Sequence, residues 1–322
     1  MDRQNFHNKL RELFKNSWTS RLEQDLPSKW EKHGNLILFP ENTFQSSAFS
    51  QQPELYPLIC RLMKVTKIAR KTGVITPNDP YRRPQVQLLY GSDGWVSKTE
   101  NSIRFQWDIT RCMFSSGNIT EKQRISSWDL SGQTVVDLYA GIGYFTLSYL
   151  VHAKAKTVYA CEWNPDAIEA LRINLRLNKV SDRCVVLEGD NALTCPEQIA
   201  DHVNLGLIPS SEASWEVSCR ALNKTGGVLH VHGNVDLKKM EQIIITNYTE
   251  NKNQIFPEAW TAWANYVSSE IGRILENIYP EEGWTATVLD VVKIKSYGPC
   301  VDHLVVDVKC YPKVKVLRKL SI

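Results

Sequence analysis

A chain of 322 residues with a net charge of only +3 has no overall electrostatic preference for nucleic acid, so any basic surface must be local. No run of 18 apolar residues occurs and the first residues do not resemble a secretory signal, so we expect no membrane span and a cytoplasmic protein. The eight cysteines form neither a CxxC pair nor a zinc pattern, which predicts reduced thiols and no metal site.

Residues 1–108 are predicted to form an N-terminal helix followed by a small β-rich module. Apolar residues such as Leu10 and Phe14 recur at helical spacing within residues 1–33. Short apolar runs separated by turn residues then predict strands. These strands are predicted at residues 35–41, 86–90, 95–98 and 102–107. A helix is predicted at 54–69, between the first two of them.

A basic stripe is predicted on that helix. Arg61, Lys64, Lys67 and Lys71 step by three and four residues, and no acidic residue interrupts residues 61–78. On a continuous helix these side chains would share one face. Such a stripe could follow a phosphate backbone, and the alternative interpretation is an ordinary solvated face.

Residues 109–312 show alternating strand and helix patterns, which are typical of a parallel sheet with helices on both faces. Strands are predicted at residues 134–139, 157–161, 185–188, 202–208 and 227–232. Asn164 and Pro165 form an N-cap followed by a first-turn proline, and they predict the helix after the second strand.

The end of this region predicts a further helix and a closing hairpin. The helix is expected at 257–278, where apolar residues line one side, and the two hairpin strands at 285–295 and 303–310. Residues 236–257 are interpreted as an insertion and 313–322 as a short basic tail. We therefore expect an α/β, doubly wound sheet with a terminal antiparallel hairpin, preceded by a small α+β module.

A glycine turn follows the first strand of this sheet. Asp137 lies in the strand, and Gly141 and Gly143 come after it. Glycine lets a ligand approach the backbone, and the helix that follows offers free N–H groups. A dinucleotide site would require a third glycine at Thr146. The arrangement instead resembles the first motif of class I S-adenosylmethionine (SAM) enzymes, with a purely structural turn as the alternative.

Acidic residues mark the ends of three successive predicted strands: Asp137, Glu162 and Asp190. Because the carboxyl ends of parallel strands meet at one edge of a sheet, we expect these acids to lie close together. A carboxylate at Glu162 can accept both hydroxyls of a ribose, and Asp190 can accept an adenine amino group. Each acid alone could be a helix cap or a surface charge, and their common position indicates SAM.

A polar loop at 113–122 precedes the first strand of the sheet. Ser115 offers a hydroxyl and Lys122 a cation, which suits the carboxylate in the methionine part of SAM. The alternative is a partial helix cap. His230 and His232 share one face of the fifth strand, and without a third ligand they are interpreted as structural.

Several segments resemble, in order, the tRNA wybutosine-synthesizing protein 2 family, whose members are tRNA aminocarboxypropyltransferases. The resemblance covers about residues 14–310. It rests on segments 114–115, 121–122, 137–146, 161–165, 189–191, 206–211, 295–299 and 301–303. Members commonly carry a further N-terminal domain, which we expect this chain to lack.

The related tRNA guanine-37 N1-methyltransferase family shares the fold and the first motifs. That family has an Asn-Leu-Pro segment after the fourth strand, where this chain has Leu207, Ile208 and Pro209. It also tends to have Ser-Pro-Arg where this chain has Ser115, Ser116 and Gly117. Both differences favour the aminocarboxypropyl family.

The resemblance implies a reaction on phenylalanine tRNA. A carbon of the tricyclic base derived from guanosine 37 would attack the methionyl Cγ of SAM, and 5′-methylthioadenosine would leave. The anticodon loop would be the partner, and we expect a monomer.

The resemblance also implies roles for individual residues. Glu162 would bind the ribose, while Asp190 and Asn191 would lie on the adenine side. The remaining residues would hold the methionine part (Ser115, Lys122), shape the turn (Asp137, Gly141, Gly143) or help to position the substrate (Pro209). No residue is assigned as a general base. A guanine-37 N1-methyltransferase and a SAM-fold RNA-binding protein without turnover remain the alternatives.

Overall fold

The computed structural model describes residues 2–74, 79–240 and 255–313. It divides the chain into two units, one ending at Phe114 and the other beginning at Ser115. The basic tail predicted at 313–322 lies outside the described residues except for its first residue, and so does most of the insertion predicted at 236–257. The division into a module at 1–108 and a catalytic domain at 109–312 remains a proposal.

The first unit combines helices with a four-stranded sheet, in the order β1-β2-β3-β4, and a separate β5–β6 pair. Its helices are α1 (Arg3–Phe14), α2 (Ser20–Gln24), α3 (Ser47–Ser50) and α4 (Leu55–Met63). Its strands are β1 (Glu31–His33), β2 (Leu36–Phe39), β3 (Lys67–Lys71), β4 (Val86–Tyr90), β5 (Trp95–Glu100) and β6 (Ile103–Asp108). The strands predicted in this region are confirmed.

Aromatic side chains form the centre of the first unit. Phe6 and Phe14 of α1 are buried with Phe39, Phe44 and Phe49. Phe44 contacts the rings of both Phe39 and Phe49 edge-on, with centroid separations of 5.0 and 5.1 Å. Edge-to-face pairs add about 0.5–1.5 kcal/mol to the free energy gained by burial, so this cluster holds α1 and α3 on the sheet.

The helical stripe predicted at Arg61–Lys71 is wrong, because the helix ends before most of its members. α4 ends at Met63, and Lys64 adopts a left-handed backbone with φ of 52°. Lys67 and Lys71 belong to strand β3, which pairs in parallel with β2. The spacing of three and four residues therefore runs across a helix end and does not place these side chains on one surface.

Two of these lysines are also engaged with acidic groups. Lys67 donates to Asp93 and, at 2.8 Å, to the carbonyl oxygen of Trp95. Lys71 donates to Glu31 at 2.6 Å. Since both of these ammonium groups have a carboxylate partner inside the unit, the structure gives no support to the interpretation in which the stripe binds phosphate.

The second unit contains the predicted parallel sheet and its terminal hairpin. The sheet has seven strands in the order β12-β13-β11-β10-β7-β8-β9. The strands are β7 (Thr134–Asp137), β8 (Thr157–Glu162), β9 (Cys184–Glu188), β10 (His202–Leu205), β11 (Gly227–Asp236), β12 (Trp284–Gly298) and β13 (Val301–Pro312). Strands β7 to β11 pair in parallel, and β13 pairs antiparallel with both β11 and β12, so the fold class is confirmed.

Helices connect these strands. They are α5 (Ile119–Ser126), α6 (Thr146–Val151), α7 (Pro165–Leu177), α8 (Asn191–Thr194), α9 (Trp215–Ala221) and α10 (Ile255–Ile278). The cap predicted before α7 is confirmed, because the Asn164 side chain accepts a hydrogen bond from the amide of Asp166 at 3.0 Å.

Helix α10 covers one face of the sheet. Ala264, Val267, Ile271 and Leu275 recur at helical spacing and are almost completely buried. Full burial of an aliphatic side chain contributes about 1.5–3 kcal/mol, so this stripe is the main attachment of α10. A Cβ atom at Gly233 of β11 would lie 2.5 Å from the indole of Trp263, and glycine is therefore required there.

A buried polar chain crosses the sheet near α5. His202 Nδ1 lies 2.9 Å from His230 Nε2, and His230 Nδ1 lies 2.7 Å from a carboxylate oxygen of Asp307. Arg124 donates to both Asp307 and Glu121. The Arg124 guanidinium is paired with the carboxylates of both Asp307 and Glu121, so the charged groups of this hydrogen-bonded row offset one another. This supports the structural interpretation of His230.

Membrane-spanning helices and metal-binding clusters are absent from the residues that the structure describes. No helix there is long and apolar enough to cross a membrane. No group of three or more His, Cys, Asp or Glu side chains in that part of the chain is placed to hold a metal ion.

The polar chain predicts a pH effect on stability. Burial, and to a lesser extent the neighbouring His230, lower the pKa of His202 to about 3. The unfolded chain therefore binds the extra proton below about pH 6.5, so stability falls as the pH falls through this range, by up to about 1.4 kcal/mol per unit. We expect His202→Gln to make the pH dependence of urea unfolding shallower between pH 6.5 and 4. Identical slopes for both proteins would contradict this explanation.

Candidate functional site

The carboxyl edge of the parallel strands is where an open α/β sheet binds ligands. β7 ends at Asp137, which is in register with Asn204 of β10. β8 ends at Glu162, opposite Glu188 of β9. The structure therefore brings Asp137, Glu162 and the segment that contains Asp190 to one edge, as the strand pattern predicts.

The glycine turn at this edge has no room for other residues. Gly141 and Gly143 have φ of 55° and 100°, in the left-handed region that favours glycine. A Cβ atom at Gly141 would collide with the ring of Tyr144, and one at Gly143 would lie 3.1 Å from Leu147 and Leu171. The backbone of the turn is thus not covered by side chains at its two glycines, and the chain continues from it into α6.

Asp137 is completely buried beneath the turn. Its carboxylate accepts hydrogen bonds from Thr146 Oγ1 at 2.7 Å and from Asn204 Nδ2 at 2.9 Å. Burial raises the pKa of this carboxyl, and the two hydrogen bonds oppose that effect. Its geometry is that of a structural anchor for the turn. Thr146 replaces the third glycine of a dinucleotide site and supplies one of the bonds.

We predict that Thr146→Val lowers the free energy of unfolding by about 1–3 kcal/mol, because it removes a hydrogen-bond donor from a completely buried carboxylate. Ser148→Ala is the matched control. Ser148 lies on the same helix, and its buried hydroxyl has no hydrogen-bond partner within the described residues. Urea unfolding of both variants measures the difference, and equal losses would show that the Thr146–Asp137 bond is not the cause.

Glu162 is held by backbone N–H groups. One carboxylate oxygen accepts from the amide of Gly141 at 2.7 Å, and the other accepts from the amides of Trp163 and Asn164 at 2.9 and 2.8 Å. Burial raises the pKa of this carboxyl, while these backbone bonds oppose the rise. The carboxylate is thus fixed beside the glycine turn, and an ionised carboxylate has about four lone-pair sites, which leaves acceptor capacity for a hydroxyl group.

Asp190 and Asn191 occupy the start of α8. The Asp190 side chain accepts from the amide of Ala192 at 2.9 Å and caps the helix. Asn191 donates to the carbonyl oxygen of Leu138 at 3.0 Å and accepts from Ser214 Oγ at 3.1 Å. The structure places both residues at the carboxyl edge next to β7. Their assignment to the adenine side remains a prediction.

The loop that contains Ser115 and Lys122 lies against the glycine turn. Lys122 is buried, and its ammonium nitrogen is 3.4 Å from the carbonyl oxygen of Ser115 and 5.8 Å from the ring centroid of Tyr144. A Cβ atom at Gly117 would collide with the ammonium group of Lys295. Lys122 therefore lies near the turn, and Ser115 is linked to it through this carbonyl oxygen, while the assignment of both residues to the methionine part of SAM remains a prediction. Lys295 is an additional cation whose position the sequence did not predict.

Pro209 lies in the segment that follows β10, and this segment runs beside the C-terminal end of β11. The Ile208–Pro209 peptide bond is cis, and the carbonyl oxygen of Pro209 accepts from the amide of Asn234 at 2.8 Å. Ser210 forms an antiparallel bridge with Gly233. The segment 207–209 is thus bound along β11 at the same edge of the sheet.

These features fit SAM. The two glycines offer backbone without side chains, Glu162 offers a fixed carboxylate, and Lys122 offers a buried cation near the turn. This edge and the strand order define a class I SAM-dependent transferase, for which SAM is the group donor.

Two family models match the chain in succession. Residues 10–94 match the TYW2 N-terminal domain, and residues 96–256 match the TRM5/TYW2 methyltransferase domain. A tRNA wybutosine-synthesizing protein 2 homolog from Danio rerio is 43% identical over 306 residues, which covers 92% of this chain and 74% of that relative. The chain belongs to the tRNA wybutosine-synthesizing protein 2 family.

Solved structures agree with this family. P. horikoshii TYW2 in complex with MeSAdo has 25% sequence identity and a TM-score of 0.66, over 94% of this chain and 98% of that one. Trm5b from Pyrococcus abyssi has 21% identity and a TM-score of 0.59, over 91% of this chain and 78% of that one. At that identity the second comparison supports the shared fold alone.

We predict that Glu162→Ala weakens SAM binding by about 10- to 100-fold, because a charged acceptor contributes about 1.5–3 kcal/mol. The control is Glu188→Ala, which removes the acid at the end of the neighbouring strand. Glu188 is exposed and pairs with Arg172 at the surface. Calorimetric titration with SAM compares them. Unchanged affinity in Glu162→Ala, or an equal loss in both variants, would remove Glu162 from the ligand set.

Proposed function

We propose that this protein transfers the 3-amino-3-carboxypropyl group of SAM to the tricyclic modified guanosine at position 37 of phenylalanine tRNA, releasing 5′-methylthioadenosine. The observation that carries the proposal is the match to both TYW2 domains, together with 43% identity to a wybutosine-synthesizing relative over nearly the whole chain. The step belongs to wybutosine biosynthesis.

SAM supplies a sulfonium ion that activates three attached carbon atoms, so orientation decides which group is transferred. The residues of this chain would set that orientation. Glu162 would hold the ribose, and Asp190 with Asn191 would border the adenine. Ser115 and Lys122 would hold the methionine part, so that its Cγ rather than its methyl group faces the base.

The segment 207–209 supports aminocarboxypropyl transfer over methyl transfer. Leu207 stands where the methyltransferase family has an asparagine that helps to hold the target guanine. A leucine side chain has no donor or acceptor, so it cannot replace the asparagine side-chain amide in hydrogen-bonding to a guanine edge. Pro209 keeps its contact with Asn234 and would still position the substrate.

The partner and compartment follow from the same proposal. The substrate would be the anticodon loop of phenylalanine tRNA, met in the cytoplasm. Buried, reduced thiols such as Cys161 and Cys219 agree with a reducing compartment.

Product analysis tests the proposed function. The enzyme would be incubated with SAM and with tRNA from cells blocked at this step, and both the nucleoside and the cofactor product would be weighed by mass spectrometry. We expect 5′-methylthioadenosine and a nucleoside that gains the aminocarboxypropyl group. S-adenosylhomocysteine with a methylated guanosine would instead identify a guanine-37 N1-methyltransferase. Binding of SAM without either product would indicate an RNA-binding protein without turnover.

A further inference from the structure

Two buried histidines form a direct pair at the carboxyl edge. Nδ1 of His232 on β11 lies 3.1 Å from Nε2 of His303 on β13, and their ring centroids are 5.2 Å apart. Both side chains are 1% exposed. β11 runs beyond Val231, the last residue that pairs with β10, so the histidine pair lies where the parallel part of the sheet ends.

The pair borders the elements that define the site. The ring of Phe145, two residues after Gly143, is centred 5.1 Å from that of His232. Lys295, whose ammonium group reaches Gly117 in the predicted methionine-binding loop, acts electrostatically on His303. The backbone next to His232 is joined to the segment 207–209 through Asn234. Three separate parts of the candidate site therefore converge on these two imidazoles.

Each imidazole of the pair has one nitrogen that faces the other ring and one outer nitrogen that does not. The surroundings of the outer nitrogens distinguish this pair from the other histidine pair of the sheet. His202 Nε2 lies 2.7 Å from Gln133 Oε1, and His230 Nδ1 is bound to Asp307, so that pair is satisfied at both ends. His232 Nε2 and His303 Nδ1 are buried and have no hydrogen-bond partner within the described residues. A buried polar atom without a partner costs about 1–3 kcal/mol, and a catalytic role is one of the reasons for which native proteins keep such an atom.

Both imidazoles are neutral at neutral pH. Burial, and to a lesser extent Lys295, lower the pKa of His303 to about 4. Burial followed by His303 lowers the pKa of His232 as well. A neutral imidazole carries one proton, and one proton occupies the contact between the rings. Whichever ring carries the proton between them, one outer nitrogen of the pair therefore has a free lone pair and the other carries a hydrogen.

We propose that this pair accepts the proton that the target base loses, with His303 Nδ1 as the acceptor and His232 as the positioning residue that passes a proton onward. The proposal rests on the proposed function. A tautomer shift explains the relay: a proton arrives at His303 Nδ1, the proton between the rings moves to His232 Nδ1, and the proton on His232 Nε2 leaves to water.

The transfer forms one carbon–carbon bond, breaks one sulfur–carbon bond and releases one proton. As the new carbon–carbon bond forms, the bond between sulfur and Cγ breaks and its electron pair remains on the thioether sulfur of 5′-methylthioadenosine. The attacked ring carbon still holds its hydrogen, and the ring carries the positive charge. Because His303 Nδ1 is buried, the hydrogen would reach it as a proton through one water molecule, and this transfer returns the C–H electron pair to the ring and restores aromaticity.

His303→Gln tests the acceptor, because the glutamine amide can keep the contact with His232 without a basic nitrogen. We expect kcat for aminocarboxypropyl transfer to fall about 100-fold with an unchanged KM for SAM, since general bases contribute about 10²–10⁴. A substrate tRNA deuterated at the attacked carbon should then show a primary isotope effect that the wild type lacks. His202→Gln, in the satisfied pair, should change neither quantity.

A second measurement needs neither SAM nor a variant. Nitrogen NMR of the wild-type protein with isotope-labelled histidine should show, for His232 and His303 at neutral pH, one protonated and one bare outer nitrogen. Two protonated outer nitrogens, or an imidazolium ion, would overturn the relay even if His303→Gln failed to fold.

The two proposals fail in different ways. A wild-type enzyme that makes no 5′-methylthioadenosine would refute the proposed function. A wild type that makes it, beside a His303→Gln variant that binds SAM normally and shows normal kcat without an isotope effect, would refute only the role of the histidine pair.

Discussion

The buried carboxylate of Asp137 is the contact on which the candidate site depends. It joins the end of β7 to α6 through Thr146 and to β10 through Asn204. Burying this group is costly unless its oxygens are bonded, so the arrangement in which the three elements supply these bonds is favoured. That arrangement sets the glycine turn, and Glu162 then holds the turn from β8 by accepting the amide of Gly141. The geometry of the ligand-facing edge thus depends on hydrogen bonds to two carboxylates at the ends of β7 and β8.

Local patterns predicted the elements of the second unit well, because each pattern reports a contact made within a few residues. The cap at Asn164 is one example, and the acids at strand ends are another. Contacts between distant residues left no such signal. Asn204 lies 67 residues from the carboxylate that it binds. The basic stripe failed for the same reason: β3 forms by pairing with β2, and a helical spacing count cannot detect that competitor.

The two histidine pairs show how one residue type can take different states on one sheet. His202 and His230 are bonded at both ends to Gln133 and Asp307, so their protons have nowhere to move. Within the part of the chain that the structure describes, the imidazoles of His232 and His303 hydrogen-bond only to each other. Both pairs are buried, and the difference between them comes from the available partners. A count of histidines in the sequence therefore predicts neither their protonation nor their use.

Gly233 imposes a constraint on chain length as well as on residue type. Its neighbours His232 and Asn234 both face away from the indole of Trp263, because side chains alternate along a strand and only glycine fits against that ring. A single residue inserted into β11 or deleted from it ahead of His232 would shift its pairing register by one, reverse this alternation and turn the histidine towards α10. The fit of Gly233 against Trp263 therefore fixes the register of β11 as well as the residue type at this position.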